Sequence, residues 1–324
     1  MNETAKNKLN RSDETSDNDE KETTMSNIRP LQAVQPASSR LPVKKTFKLL
    51  IDGQFVRTES GRFIECLDSG GNMLANVCRA SRKDLRNSVV ASRKAFPAWR
   101  ARSAYNRGQI LYRCAEMLEE RKEQFVSLLH NQVPGERSVA IKEVEDSIDL
   151  LIHFAGWADK YQQVFGSVNP VSSSHFNFSL FEPMGIVGII APEKPALLPV
   201  VATVATTIVG GNTVVVLPST ASPLAALSLA EVFNTSDIPA GVVNILSGLK
   251  DELLEHFSSH MDINALIYCE FNPKDLASVK KQAALNVKRV ISLSDCPWEL
   301  ESLCDPYMIL ETEEVKTTWH PVGK

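Results

Sequence analysis

The chain has 324 residues, 43% of them hydrophobic and 23% charged, a balance that fits a globular protein of one large or two medium domains. A formal net charge of -4 gives no general attraction to nucleic acid or to an anionic membrane surface. Six scattered cysteines without a C-x-x-C pair, and an N-terminus without an apolar leader, predict reduced thiols and a cytoplasmic location.

Residues 1–45 are polar and charged with a Pro/Ser patch, the composition of a disordered tail. Short extended pieces follow, with turns at Asp52-Gly53, Ser60-Gly61 and Gly70-Gly71. Helical periodicity then takes over in DLRNSVVASRKAFPAW and NRGQILYRCAEMLEERKEQFVSLLH, where Ile110, Leu111, Cys114, Leu118, Phe125 and Leu128-Leu129 share a stripe. A third amphipathic stretch runs from Ala140 to Tyr161, so 46–165 reads as a mainly helical part. Alternation along HFNFSLF makes 166–183 a hairpin. From 184 to 295 the chain alternates strand and helix: GIVGIIA, TVVVLP, VVNILS, NALIYC and KRVISLS are five strands with four helices between them. That pattern predicts a doubly wound parallel α/β sheet. Residues 296–324, with the acidic ETEE, read as a solvated tail.

Pro195 to Ala230 contains no charged residue, but Pro199, three threonines and Gly210-Gly211-Asn212 interrupt it, so it predicts buried α/β elements and not a membrane span. Ser222 and Pro223 look like the N-cap and first residue of the helix after TVVVLP. In such a unit the turn after the strand faces a ligand. Here that turn is Leu217-Pro218-Ser219-Thr220, without a charged group.

The ordered set LLIDGQFVRTESGRF, AFPAWRARSAYNRGQILYRCAEMLEER, FAGWADKYQQVFG, EPMGIVGIIAP, GGNTVVVLPSTASPLAALSLAEVF and IPAGVVNILSG resembles the aldehyde dehydrogenase superfamily from about Phe47 to Ser294. The resemblance implies a Rossmann-like nucleotide domain, a helical N-terminal segment and an oligomerisation-type hairpin at 166–183. It also implies aldehyde oxidation with NAD or NADP through a cysteine thiohemiacetal. The departures fall on that chemistry. Where the family has Ala-Pro-Trp-Asn-Phe-Pro, this chain has Ala191-Pro192-Glu193-Lys194-Pro195-Ala196, with Lys194 in place of the oxyanion-binding asparagine. The ribose-holding Lys-Pro-x-Glu becomes Leu217-Pro218-Ser219-Thr220, and threonine cannot chelate two hydroxyls as a carboxylate does. The Phe-Thr-Gly-Ser turn becomes Tyr268-Cys269-Glu270-Phe271, which sets a carboxylate near the pyrophosphate position. The general-base glutamate falls on Leu293, and no Gly-Gln-x-Cys context occurs up to Lys324, so the chain reads as truncated relative to the family.

The sequence therefore offers no catalytic residue. The family's cofactor positions (Ile190, Ala191, Pro192, Lys194, Leu217, Thr220 and Glu270) read as a degenerate cleft, with NAD(P) expected only if that cleft still works. Lys194 offers a retained anion site, with Glu193 partly neutralising it. Cys296 and Cys304 sit beside Asp295 and Asp305, which would raise their pKa values. His256 and His260 have helical metal-ligand spacing without a third ligand. The expected function is that of a non-catalytic interaction or regulatory subunit. It would self-associate, or dock to a fuller aldehyde dehydrogenase chain; the departures and the truncation resemble most the degenerate second module of the family-sixteen branch. The competing expectation is an NAD(P)-dependent oxidoreductase completed by a partner chain or a missing C-terminal half.

Overall fold

The computed structural model describes residues 43–323, so the expected tail at 1–45 lies almost entirely outside the described residues. In chain order the elements begin with β1 (Thr46–Phe47), β2 (Leu49–Ile51), β3 (Gln54–Val56), β4 (Phe63–Leu67) and β5 (Met73–Cys78). Five helices follow: α1 (Arg82–Arg100), α2 (Ala104–Glu120), α3 (Lys122–Gln132), α4 (Arg137–Trp157) and α5 (Tyr161–Phe165). A hairpin, β6 (Ser167–Asn169) and β7 (His175–Pro183), leads into the alternating part. That part comprises β8 (Ile186–Ile190), α6 (Leu198–Gly210), β9 (Thr213–Leu217), α7 (Leu224–Thr235), β10 (Val243–Ile245), α8 (Lys250–Ser259), β11 (Ala265–Tyr268), α9 (Pro273–Ala284) and β12 (Arg289–Ser292). Two short helices, α10 (Leu300–Leu303) and α11 (Tyr307–Leu310), precede β13 (Glu313–Pro321).

The five predicted parallel strands form the sheet, in the order β12-β11-β8-β9-β10. Every residue of β8 and β9 is buried, the condition under which parallel strands read as unbroken apolar runs. Strand alternation divides them between two cores. Val187, Ile189, Val214 and Val216 face α6 and α7, while Ile186, Ile190, Val215 and Leu217 face α1 and α8. α6 is buried along its whole length, and two of its three threonine hydroxyls turn back onto its own carbonyls, while Thr207 Oγ1 has no partner among the described residues. Thr203 Oγ1 donates to Pro199 O (2.7 Å) and Thr206 Oγ1 to Ala202 O (2.9 Å). The helix stops at Gly211, whose φ of +110° ends it in the left-handed region.

Three features differ from the sequence reading. The expected extended pieces at the start of 46–165 are present but do not stand apart from the α/β part: β2 pairs antiparallel with β10 and β3 with β2, which widens the main sheet to seven strands. α7 starts at Leu224 with Pro223, not Ser222, as its N-cap; its first amide donates to Gln132 Oε1 (3.1 Å), and the Ser222 amide donates to Ser219 Oγ (2.8 Å). Residues 296–324 are not a solvated tail: β13 pairs with all of β7, and Glu313 of the ETEE stretch is 3% exposed. The predicted hairpin is present as β6 and β7, and β13 makes it a three-stranded sheet.

Candidate functional site

Beyond β8 the chain turns one way to β9 and later returns to β11 on its other side, so the strand order reverses between β8 and β11. A crevice opens at the carboxyl ends of such a switch point. Here it is a cavity of about 300 Å³, whose lining includes Ile190, Glu193, Thr220, Lys250, Tyr268 and Glu270.

The corner after β9, which carries no charge of its own, is filled from the neighbouring turn. The Glu193 carboxylate accepts from Ser219 Oγ (2.7 Å), Ala221 N (2.9 Å) and Thr220 N (3.2 Å). Burial would raise its pKa, but those donors and the adjacent ammonium of Lys250 outweigh burial and hold it below the usual range. Lys250 is the centre of the cluster. It opens α8, where a cation opposes the helix dipole and needs other partners. Its Nζ lies 2.7 Å from Glu193 Oε1, donates to Ala191 O (2.7 Å) and is bonded to Glu270. The Lys250 side chain is only 13% exposed, so these contacts are well shielded from water.

Of the residues singled out by sequence, Ile190, Ala191, Thr220 and Glu270 meet at this cluster, with Pro192 buried beside it. Three others do not. Lys194 does not pair with Glu193: it is exposed and lines a separate cavity of about 600 Å³ with Val139, Leu198 and Trp298. The anion-binding N-terminus of α6 beside it is taken by Glu143, whose Oε1 accepts from Leu197 N (2.6 Å) and Leu198 N (3.2 Å). Burial pushes the Glu143 carboxyl up, against the pull of those amides. Leu217 points into the core under α1, and Leu293 packs half-buried against the other core. Lys250 and Glu143 were missed, and Glu193 was assigned the wrong partner. A lysine on the first turn of a helix was the signal available for Lys250.

No nucleophile emerges among the thiols whose titration is perturbed. Burial raises Cys66 to about 11 and Cys114 to about 12, and it also pushes up Cys269, Cys296 and Cys304. For Cys296 and Cys304 the direction is the expected one. The cause is burial, joined at Cys304 by Asp149 and Asp146, and not the adjacent Asp295 and Asp305. His256 and His260 border a cavity of about 270 Å³ with Arg82 and Arg86; no trio of His, Cys, Asp or Glu among the described residues could hold a metal. No helix among them is long and apolar enough to cross a membrane.

Comparison with known proteins places this architecture. The chain is 32% identical over 265 residues to the cytosolic 10-formyltetrahydrofolate dehydrogenase of Xenopus tropicalis, covering 79% of this chain and 29% of that protein. It is 30% identical over 260 residues to the human mitochondrial 10-formyltetrahydrofolate dehydrogenase, covering 78% and 28%. Among solved structures, the NAD+ complex of a Bacillus cereus aldehyde dehydrogenase superposes with a TM-score of 0.73 at 27% identity, over 76% of this chain and 50% of that one. An NAD-dependent aldehyde dehydrogenase from Sinorhizobium meliloti gives the same TM-score, identity and coverage. The chain thus spans less than a third of those curated relatives and half of those solved chains. The family model described as "Aldehyde dehydrogenase family" matches residues 55–292, and the chain belongs to the aldehyde dehydrogenase family.

Proposed function

We propose that this chain is a non-catalytic member of the family, acting as an interaction or regulatory subunit in the cytoplasm. The observation that carries the reading is the Glu193–Lys250–Glu270 cluster, which lines the switch-point crevice with the chain's own paired charges. The crevice does not fit a dinucleotide. The turn donors after β9 are spent on Glu193, Lys250 is spent on two carboxylates, and Glu270 adds like charge toward a pyrophosphate. Glu143 likewise uses the amides that open α6. Leu293 offers no base, and the raised thiol pKa values offer no nucleophile. The cytosolic relative supports the location.

The test is the melting temperature of the purified chain with and without millimolar NAD and NADH, beside an assay for aldehyde-dependent NADH. No shift and no turnover are expected. A ligand bound only to the native state at a hundred times its Kd stabilises by about 2.7 kcal/mol, so a clear shift would overturn the closed-crevice reading. Turnover would establish the oxidoreductase alternative.

A further inference from the structure

Where α1 packs against α8, the two helices match charge at one end of the seam and not at the other. Glu252 and His256 stand four apart on α8 and His260 caps its end, so the three lie along one face. Arg82 and Arg86 stand four apart on α1, just beyond Arg79. The seam begins with a complementary pair, since Arg79 Nε donates to Glu252 Oε2 (3.0 Å). One turn on, cation faces cation. Arg82, Arg86, His256 and His260 meet around the cavity of about 270 Å³, and no carboxylate lines it.

The carboxylates of this region are engaged elsewhere. Glu59 pairs with Lys83 (3.1 Å), Glu252 also with Arg62 (3.7 Å), and Asp262 with Arg93 (3.8 Å). Asp84, two residues from Arg82, accepts instead from Thr58 Oγ1 (2.6 Å) and the Ser81 amide (2.7 Å). Among the described residues, neither the Arg82 nor the Arg86 guanidinium has an ion-pair or hydrogen-bond partner. Like charges at helical spacing are destabilising, and an anion set between them turns that repulsion into charge-assisted hydrogen bonds.

The field in the recess is positive. Burial, together with Lys288, Arg86 and Arg82, holds the His260 imidazole below its usual value against the pull of Asp262. His260 Nδ1 accepts from the Asp262 amide (3.2 Å), which leaves Nε2–H as the donor of the neutral ring. The carboxyl end of α8 would repel an anion, but it is neutralised from behind. Lys288, 7% exposed, donates from Nζ to Phe257 O (2.9 Å), Ser258 O (2.7 Å) and His260 O (2.9 Å). The recess is smaller than the roughly 300–1,000 Å³ of pockets that take drug-sized ligands, so its ligand is small. A net charge of -4 opposes an extended polyanion such as a membrane or a nucleic acid.

We propose that Arg82, Arg86, His256 and His260 form a binding site for a small phosphate monoester. Planar guanidinium forks suit this group, because each can pair two phosphate oxygens at once. The site shares no lining residue with the switch-point crevice, so it stands whether or not a nucleotide binds there.

Inorganic phosphate and glycerol phosphate are titrated into the full chain by calorimetry in chloride buffer, and the histidine ring signals are followed by NMR. Both probes should bind saturably to a single site. The signals of His256 and His260, identified with His256→Gln and His260→Gln, should move while those of the other histidines stay. Arg82→Gln combined with Arg86→Gln, at exposed positions of α1 where glutamine is a good helix former, should weaken binding about tenfold or more. The melting temperature of that variant without ligand should be no lower than that of the unsubstituted chain. Lys280→Gln combined with Lys281→Gln removes the same charge from α9, away from the recess, and should leave binding intact. No saturable binding up to roughly 10 mM of either probe overturns the proposal. So does binding that leaves both histidine signals unmoved, or that the two pairs of substitutions weaken alike. Vesicles of phosphatidylcholine and phosphatidic acid form the last arm. Co-sedimentation with them, by a chain that binds neither soluble probe, overturns the small-ligand assignment and gives the site to a lipid headgroup.

Discussion

Two carboxylate sites, one half-buried and one buried, lie at opposite ends of the same parallel strands, and they solve one problem in opposite ways. At the carboxyl end, Glu193 has a lysine and three further donors, and its pKa is held down. At the amino end of β9, Glu313 accepts one hydrogen bond from Asn212, its Oε2 has no partner, and burial pushes its pKa up to about 9. The first site is an ionised cluster standing where the fold offers a ligand seat. The second is a neutral acid packed against Gly210, where any β-carbon would lie 2.2 Å from Glu313 Oε1. What decides the charge state is the company of a cation within reach, since both carboxyls lose water.

The largest predicted effect breaks the amino-end site. A carboxyl with a raised native pKa binds its proton more tightly folded than unfolded, so its share of stability is present below the unfolded value and is lost as pH rises toward about 9. Glu313→Gln removes that loss. It should stabilise the chain by roughly 3 kcal/mol at pH 7 and change nothing at pH 4, as read from urea midpoints at the two pH values. Arg107 and Arg289 pull the carboxyl the other way and limit the gain.

Lys250→Met, the matching change at the carboxyl end, should destabilise by about 2 kcal/mol. That is less than for a fully buried pair, because Glu193 keeps 38% of its side chain exposed. Adding Glu270→Gln to it should return part of the loss. If the double variant is no better than the single one, the cost belongs to lost packing and not to unpaired charge. The smallest expected effect is from Ser219→Ala, about 0.5–1 kcal/mol, since Ala221 N and Thr220 N still hold Glu193. A neutral result there would mean that the backbone of the turn alone seats the carboxylate.

The frame of this molecule was legible because its signals are periodic. Apolar runs such as Thr213–Leu217 and Ile186–Ile190 need no partner information to be read as buried strands, and all five parallel strands were found in order. The site was harder because it depends on direction. Glu193 and Lys194, neighbours in sequence in the bend after β8, face different cavities. Lys250 and Glu143 come from helices remote in sequence, and only the assembled sheet brings them to β8 and α6. The C-terminal strand was hidden by its charges: ETEE looks solvated, yet the burial of Glu313 is set by Asn212, Gly210 and the turn they form.

The hairpin β2–β3 carries a consequence for how the protein is made. Leu50 pairs with Ile245, so β2 and β3 must wait for a docking edge that is synthesised last among β8, β9 and β10. At about 5–20 residues per second that wait is roughly 10–40 s. Throughout it, Leu49, Leu50 and Ile51, all buried in the finished fold, have no sheet to join. A newly made chain therefore passes through that interval with an apolar strand whose docking edge does not yet exist.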